Sequence, residues 1–235
     1  MKQQKPIGLN ESIKLILRDY TEALLVAIIV AVIVRVFFYS AYKIPTPFME
    51  PTLKVGDFIL VSKWEYGLRI PFLDKPLFFK RPSRGDVVVF RCADNRNQHC
   101  ARRVIGLPGD RIQLVKKRLV VNQQFASYSL LKSFSEKDSP SAILQEKTRR
   151  STHEIRIDAN THGGSFGPII VPPGQLFLLS DYRDGGEDSR SWGSLPLNDV
   201  VGRARYIWMS MDWSSTWKGE GWPEIRWKRV FDPIK

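Results

Sequence analysis

Apolar positions follow two patterns in turn along this chain. Behind Asn10, a fair N-cap, Ile13, Ile16, Leu17 and Tyr20 recur at helical spacing. They lead into an uninterrupted apolar run from Ala23 to Val34. With Val36–Ala41 added, the run reaches the ~20 residues a membrane span needs, so residues 23–41 are predicted as a transmembrane helix. Arg35 lies near the far end, where it can snorkel, and Phe37, Phe38 and Tyr39 form an interfacial belt. A cleavable leader would have a shorter basic start and no arginine in its apolar part. A core helix is rarely apolar all round. Lys2, Lys5, Lys14 and Arg18 precede the run, which places residues 1–22 in the cytoplasm and the remainder outside it.

Beyond the run the pattern is β throughout. Phe58–Ser62, Asp86–Arg91, Arg103–Ile105, Arg111–Val115, Arg118–Val121, Ile169–Val171, Gln175–Leu179 and Tyr206–Met211 read as short strands. Pro, Gly and Asp-Arg turns separate them, as in an all-β barrel or sandwich. Residues 122–168 are rich in Ser, Lys, Gln and Thr and poor in apolar positions. They are predicted as an inserted cap subdomain with mobile loops, between the two parts of a β domain, 42–121 and 169–235. Between the helix and the first strand, Lys43–Val61 carries proline-set kinks at Pro45–Pro47 and Pro51. A stiff turn feeding a strand is a mount for one side chain, and it points to Phe48 and Met49.

Composition adds a partner. The 235 residues carry a net charge of +12. The positive charges are scattered and an apolar run is present, so an anionic membrane surface fits better than nucleic acid. Trp208 reads as barrel core, whereas Trp213, Trp217, Trp222 and Trp227, interleaved with Lys218, Arg226, Lys228 and Arg229, suit a membrane interface. Cys92 and Cys100 flank a polar loop and could face each other across a hairpin; a bridge and two thiols both remain open. A metal site built from them and His99 lacks a second ligand pair, and His153 and His162 lie in the polar insertion, so neither metal nor cofactor is expected. Ser180–Arg190 alternates Asp with Arg, which reads as internal ion pairing.

Five segments, in order, resemble the bacterial type I signal peptidase (leader peptidase) family. They are Ile44–Leu53 with Gly56–Val61, Arg84–Phe90, Arg102–Asp110, Ser180–Gly193, and Val201–Ala204 followed by Ile207–Ser210. The resemblance covers roughly residues 24–121 and 168–211. It implies a membrane-tethered β domain on the outer face of the inner membrane, with a Ser–Lys dyad that cleaves Ala-x-Ala signal peptides. It also implies that Arg103 pairs with Asp181 and Arg190 with Asp188. A signal peptide would add as an extended strand between Tyr42–Pro45 and His99–Ala101, where Tyr42, Ile44, Pro45, Met49, Cys100 and Ala101 would contact it. Ala101 would line the small pocket beside the cut.

The chain departs from that pattern where the chemistry lies. The family's Ile-Pro-Ser-x-Ser-Met-x-Pro-Thr-Leu has its nucleophile at the second serine, and here that position is Phe48. Its general-base lysine is Arg102, and the serine that orients the lysine is Gly186. Phenylalanine has no nucleophilic atom, and arginine keeps its proton at any workable pH. Thr46 stands at the oxyanion-hole hydroxyl position. The expectation is a silent family member that binds signal peptides, the translocon or an active peptidase, with Phe48 projecting into the small pocket. The alternatives are a peptidase working through other residues and a basic, Trp-rich membrane-surface module.

Overall fold

The computed structural model describes residues 9–67, 80–92, 98–134, 140–159, 161, 164–217 and 221–235. His162 and Lys218 lie outside them. Helix α1 spans Leu9–Ile33 and passes into a π-helical turn, Val34–Phe38. The helix expected over 23–41 therefore stops short. Tyr39–Ala41 belong instead to strand β1 (Tyr39–Lys43), paired in register with Ser62–Leu60 of β2 (Asp57–Ser62), whose ladder satisfies their backbone. The first half of α1 carries Glu11, Lys14, Arg18, Asp19 and Glu22. Among the described residues, no helix is long and apolar enough to cross a membrane. The apolar side chains of Leu24 to Val34 are nonetheless exposed, Leu24 at 61%.

From β2 onward the chain is almost wholly strand. β3 (Val87–Arg91) and β4 (His99–Gly106) form a hairpin closed by a Cys92–Cys100 disulfide, which decides between bridge and thiols. β5 (Arg111–Val115), β6 (Arg118–Val121) and β7 (Gln124–Phe125) follow as a meander. β8 (Ser127–Phe134), β9 (Ser141–Lys147) and β10 (Thr152–Asp158) make a separate three-stranded antiparallel sheet. The sequence predicts an inserted cap subdomain with mobile loops over 122–168, and these three segments of it are strands. The residues form strands because an alternation too polar to show in composition, with Glu146, His153 and Ile155 turned inward, is buried against the rest of the chain.

β11 (Phe166–Ile170) returns to β5, and β12 (Gln175–Leu179) to the far half of β4. After a short helix α2 (Ser189–Trp192), β13 (Leu195–Pro196) pairs with β12. The long β14 (Val200–Asp212) then runs between β2 and β3, with β15 (Glu224–Ile225) and β16 (Asp232–Pro233) added beside it. The main sheet runs β1-β2-β14-β3-β4-β12-β13. It curls enough to bring Tyr42 on β1 against His99 on β4, with ring centroids 4.7 Å apart.

All four of the residues Val87–Phe90 are buried, because β3 serves two cores at once. Val87 and Val89 join Ile44, Met49, Leu53, Ile59, Val61, Ala101, Ala204 and Ile207. Val88 and Phe90 join Tyr66, Val104, Leu176, Leu178, Leu195 and Val200 on the other face. A third cluster, centred on Ile112, Leu119, Phe177 and Leu179, packs the meander down. Trp208 sits edge-on to Phe58, whereas Trp222 and Trp227 are exposed.

Candidate functional site

The proline-kinked segment folds as a rigid mount. Thr46 is extended and leads into a single 3-10 turn, Pro47–Met49, whose carbonyl at Pro47 accepts from the Glu50 N–H. Met49 and Leu53 are buried in the first core, and they fix the turn from below. Asp57 ties the following turn: its carboxylate accepts from the Lys54 N–H at 2.8 Å, Ser210 Oγ at 2.6 Å and Arg229 Nη2 at 2.6 Å. Gly56, at φ +87°, closes that turn against the Met211 carbonyl, where no side chain fits. The turn's free side chain is the half-buried Phe48.

Opposite it stands Arg102, 5% exposed on β4. Its guanidinium carbon lies 5.0 Å from the Phe48 ring centroid, a cation–π contact. Nε donates to the Glu187 carbonyl at 2.8 Å and Nη1 to the Ala101 carbonyl at 2.6 Å. Gly186 sits in the same corner: a Cβ built on it would lie 3.3 Å from Phe48 Cβ. The positions that by resemblance are the dyad pair, 48 and 102, and the lysine-orienting one, 186, thus meet in space, and they hold a ring, a fixed cation and a bare backbone.

The loop after β12 is anchored by buried ion pairs. Arg103 donates to Asp181 through Nε at 2.8 Å and Nη2 at 2.6 Å, and Thr52 Oγ1 donates to the same carboxylate at 2.5 Å. Burial raises the Asp181 pKa, but the Arg103 charge outweighs it and holds the carboxyl below the usual range. Arg190 bonds Asp188 within the loop, at 2.7 Å. Tyr182 N–H donates to the Phe48 carbonyl at 3.0 Å, which joins loop to mount.

Composition gave no sign of a second set of anchors. Arg183 makes a two-pronged bond to Glu146 at 2.6 and 2.9 Å, and Tyr128 Oη donates to Glu146 at 2.7 Å. Burial pushes the Glu146 carboxyl up, yet Arg183 and His153 together carry it well below the carboxylate range. His153 lies 3.3 Å from Glu146, but burial and the Arg103 charge outweigh the carboxylate and lower its pKa. Arg156 reaches Glu50 at 2.7 Å and covers the Tyr182 ring, whose hydroxyl is pushed up to about 12 by burial and by its bond to Asp158. The β8–β10 sheet is in this way bolted to both the mount and the loop.

Of the expected peptide-contacting residues, Ile44, Met49 and Ala101 are buried together in the first core with Tyr42 against them. Cys100 packs on the opposite core, and Pro45 is exposed. A cavity of about 720 Å³, walled by Leu107, Phe125, Lys147, Arg149 and Arg150, includes neither Phe48 nor Arg102. Two strand edges flank the mount. The bonds Lys63 N–H to Phe38 and Ile44 N–H to Asp57 set the phase of the β1–β2 ladder, so Ala41 and Lys43 turn their backbone groups to the open edge. On β4, β12 pairs from Arg103 onward, and among the described residues His99–Ala101 is paired with β3 alone.

The family model for "Signal peptidase, peptidase S26" matches residues 17–209. Signal peptidase I of Pseudomonas fluorescens is 35% identical over 208 residues, covering 83% of this chain and 73% of that protein. The Pseudomonas aeruginosa enzyme is 35% identical over 210 residues, with coverage of 83% and 73%. That of Buchnera aphidicola subsp. Acyrthosiphon pisum is 32% identical over 244 residues, with coverage of 84% and 76%. A solved signal peptidase I from Enterococcus faecalis V583 aligns at a TM-score of 0.33 and 23% identity over 53% of this chain and 97% of that one, too slight a likeness to build on. With one family matched across most of its length, the chain belongs to the signal peptidases of peptidase family S26.

Proposed function

We propose that this chain is a catalytically silent signal peptidase I-family protein that receives an extended signal peptide without cutting it. The observation that carries this is the corner of Phe48, Arg102 and Gly186. The nucleophile position has no oxygen, and the base position is a guanidinium already donating to Glu187 and Ala101. Losing one member of such a catalytic unit costs a factor of about a million in turnover.

The backbone edges at Ala41–Lys43 and His99–Ala101 would take the peptide by strand addition. Thr46 would face the peptide carbonyl, as the family's oxyanion hydroxyl does. Tethering comes from the helix end: apolar side chains from Leu24 to Val34 stand exposed together, as they would in lipid. The disulfide fits a β domain on the oxidising side of the inner membrane, with the N-terminus in the cytoplasm. The translocon or an active peptidase is the kind of partner such a binder would serve.

Incubating the detergent-solubilised protein with an Ala-x-Ala preprotein tests this. The expected result is binding, read by fluorescence anisotropy of a labelled signal peptide, with no cleavage. Phe48→Ser with Arg102→Lys is expected to raise cleavage by several orders of magnitude. Cleavage by the unaltered chain that one point substitution abolishes would overturn silence and point to a different set of catalytic residues.

A further inference from the structure

The loop Ser180–Arg190 differs from the family's Gly-Asp-Asn-Arg-Asp-Asn-Ser-x-Asp-Ser-Arg at both ends of one contact. The family has glycine first and serine seventh; this chain has Ser180 and Gly186. The two positions touch. A Cβ built on Gly186 would collide with Ser180 Oγ, lie 2.6 Å from Ser180 Cβ and sit 3.3 Å from Phe48 Cβ. Ser180 Oγ therefore occupies the space that a side chain at 186 would fill, next to residue 48.

Ser180 is fully buried, and its backbone is held from both sides. Its N–H donates to Asp188 at 3.0 Å, and its carbonyl accepts from Arg183 Nε at 3.1 Å. Its hydroxyl has no hydrogen-bond partner among the described residues. Packing alone does not call for an oxygen there, since an apolar side chain of the same size would fill the space without burying an unpaired donor. Position 102 borders this loop: Leu179, just before Ser180, pairs with Arg103, and Arg102 Nε bonds the carbonyl of Glu187, the residue after Gly186.

We infer that the lysine-orienting hydroxyl has not been lost but has moved: Ser180, from the other end of the loop, stands where it would position a lysine at 102. This rests on the reading of 48 and 102 as silent dyad positions, and it deepens it. The site is then two substitutions from a complete dyad, not three. A serine restored at 186 would be excluded by the one already at 180.

Three measurements on the full chain test this. In thermal melts, Gly186→Ser is expected to destabilise strongly, and the double variant Ser180→Gly with Gly186→Ser to recover most of the loss. Simple additivity of the two single effects would overturn the exchange, whatever the protein does. In Arg102→Lys, the new amine can be followed by NMR of 13C-methylated lysines. Adding Ser180→Ala should lower its proton affinity by about threefold or more, because a hydroxyl that accepts from the ammonium favours the charged form. Adding Ser180→Gly with Gly186→Ser instead should leave that affinity where Arg102→Lys set it. An amine titration indifferent to Ser180 would overturn the positioning role. In Phe48→Ser with Arg102→Lys, Ser180→Ala should cut kcat and shift the pH–rate profile. If no dyad variant cleaves while the amine still senses Ser180, the silent-dyad reading fails and the positioning role stands.

Discussion

An arginine placed where a peptidase needs its lysine cannot be rescued by burial. Desolvation can strip a lysine to a neutral amine, but a guanidinium stays charged and takes backbone carbonyls as partners, as Arg102 does with Glu187 and Ala101. The chain's other buried charges are structural and carry measurable consequences. Arg183→Met would strand the Glu146 carboxylate in the interior, with an expected loss of about 3–5 kcal/mol and a Tm drop of roughly 6–20 °C. Adding Glu146→Leu should recover much of it, which a double-mutant cycle by denaturant titration would show. His153 gives a pH dependence. Its folded pKa is lowered, so the unfolded chain binds the extra proton, and stability falls as pH drops through about 6.5. Melting curves from pH 7.5 to 5.5 should flatten in His153→Gln. The carboxyls of Glu146 and Asp181, held low, add a second loss only below about pH 4.

Among the elements, β1 is the one whose backbone is half spent. Ser40 and Tyr42 bond to β2, whereas Ala41 and Lys43 present N–H and C=O groups outward. Ala41→Pro removes one outward donor without touching the ladder to β2. Signal-peptide binding is expected to weaken about tenfold by anisotropy while Tm moves by only a few degrees. Equal peptide affinity in that variant would place the peptide elsewhere. The β8–β10 sheet works differently, as a brace. Arg156 and Arg183 hold its register to Glu50, to the mount and to the loop, through the parallel bridge of Arg156 with Tyr182. Arg156→Ala should therefore loosen the Phe48 turn, read as faster amide exchange at Tyr182, whose N–H bonds the Phe48 carbonyl.

For the whole molecule, under the proposed function, the net charge of +12, the exposed apolar side chains of α1 and the exposed Trp222 and Trp227 would together hold the domain against an anionic surface. Co-sedimentation with phosphatidylglycerol vesicles should persist in high salt for the full chain. It should become salt-sensitive when residues 1–41 are removed, because only surface charge and tryptophans remain. Reduction of Cys92–Cys100, eight residues apart, should cost about 2–3 kcal/mol by loop entropy and loosen the β3–β4 hairpin that carries Arg102.

Much of this was legible in the chain itself. Strand positions at Arg111–Val115, Arg118–Val121 and Gln175–Leu179 follow from short apolar or alternating segments set between turns, and the family from five ordered motifs, because both signals are local in sequence. The replaced dyad residues were legible for the same reason. The strands within 122–168 were not, since their inward positions include Glu146 and His153 beside Ile155, polar residues that only partners far along the chain make buriable. Nor was the end of the helix at Ile33, which depends on β2 offering Tyr39–Ala41 a ladder. Sequence alone determined that no nucleophile stands at 48 and no base at 102, because that is a matter of which atoms are present. Only the tertiary structure decided that Ser180 fills the place left by Gly186, because six residues of loop must fold back before the two can touch.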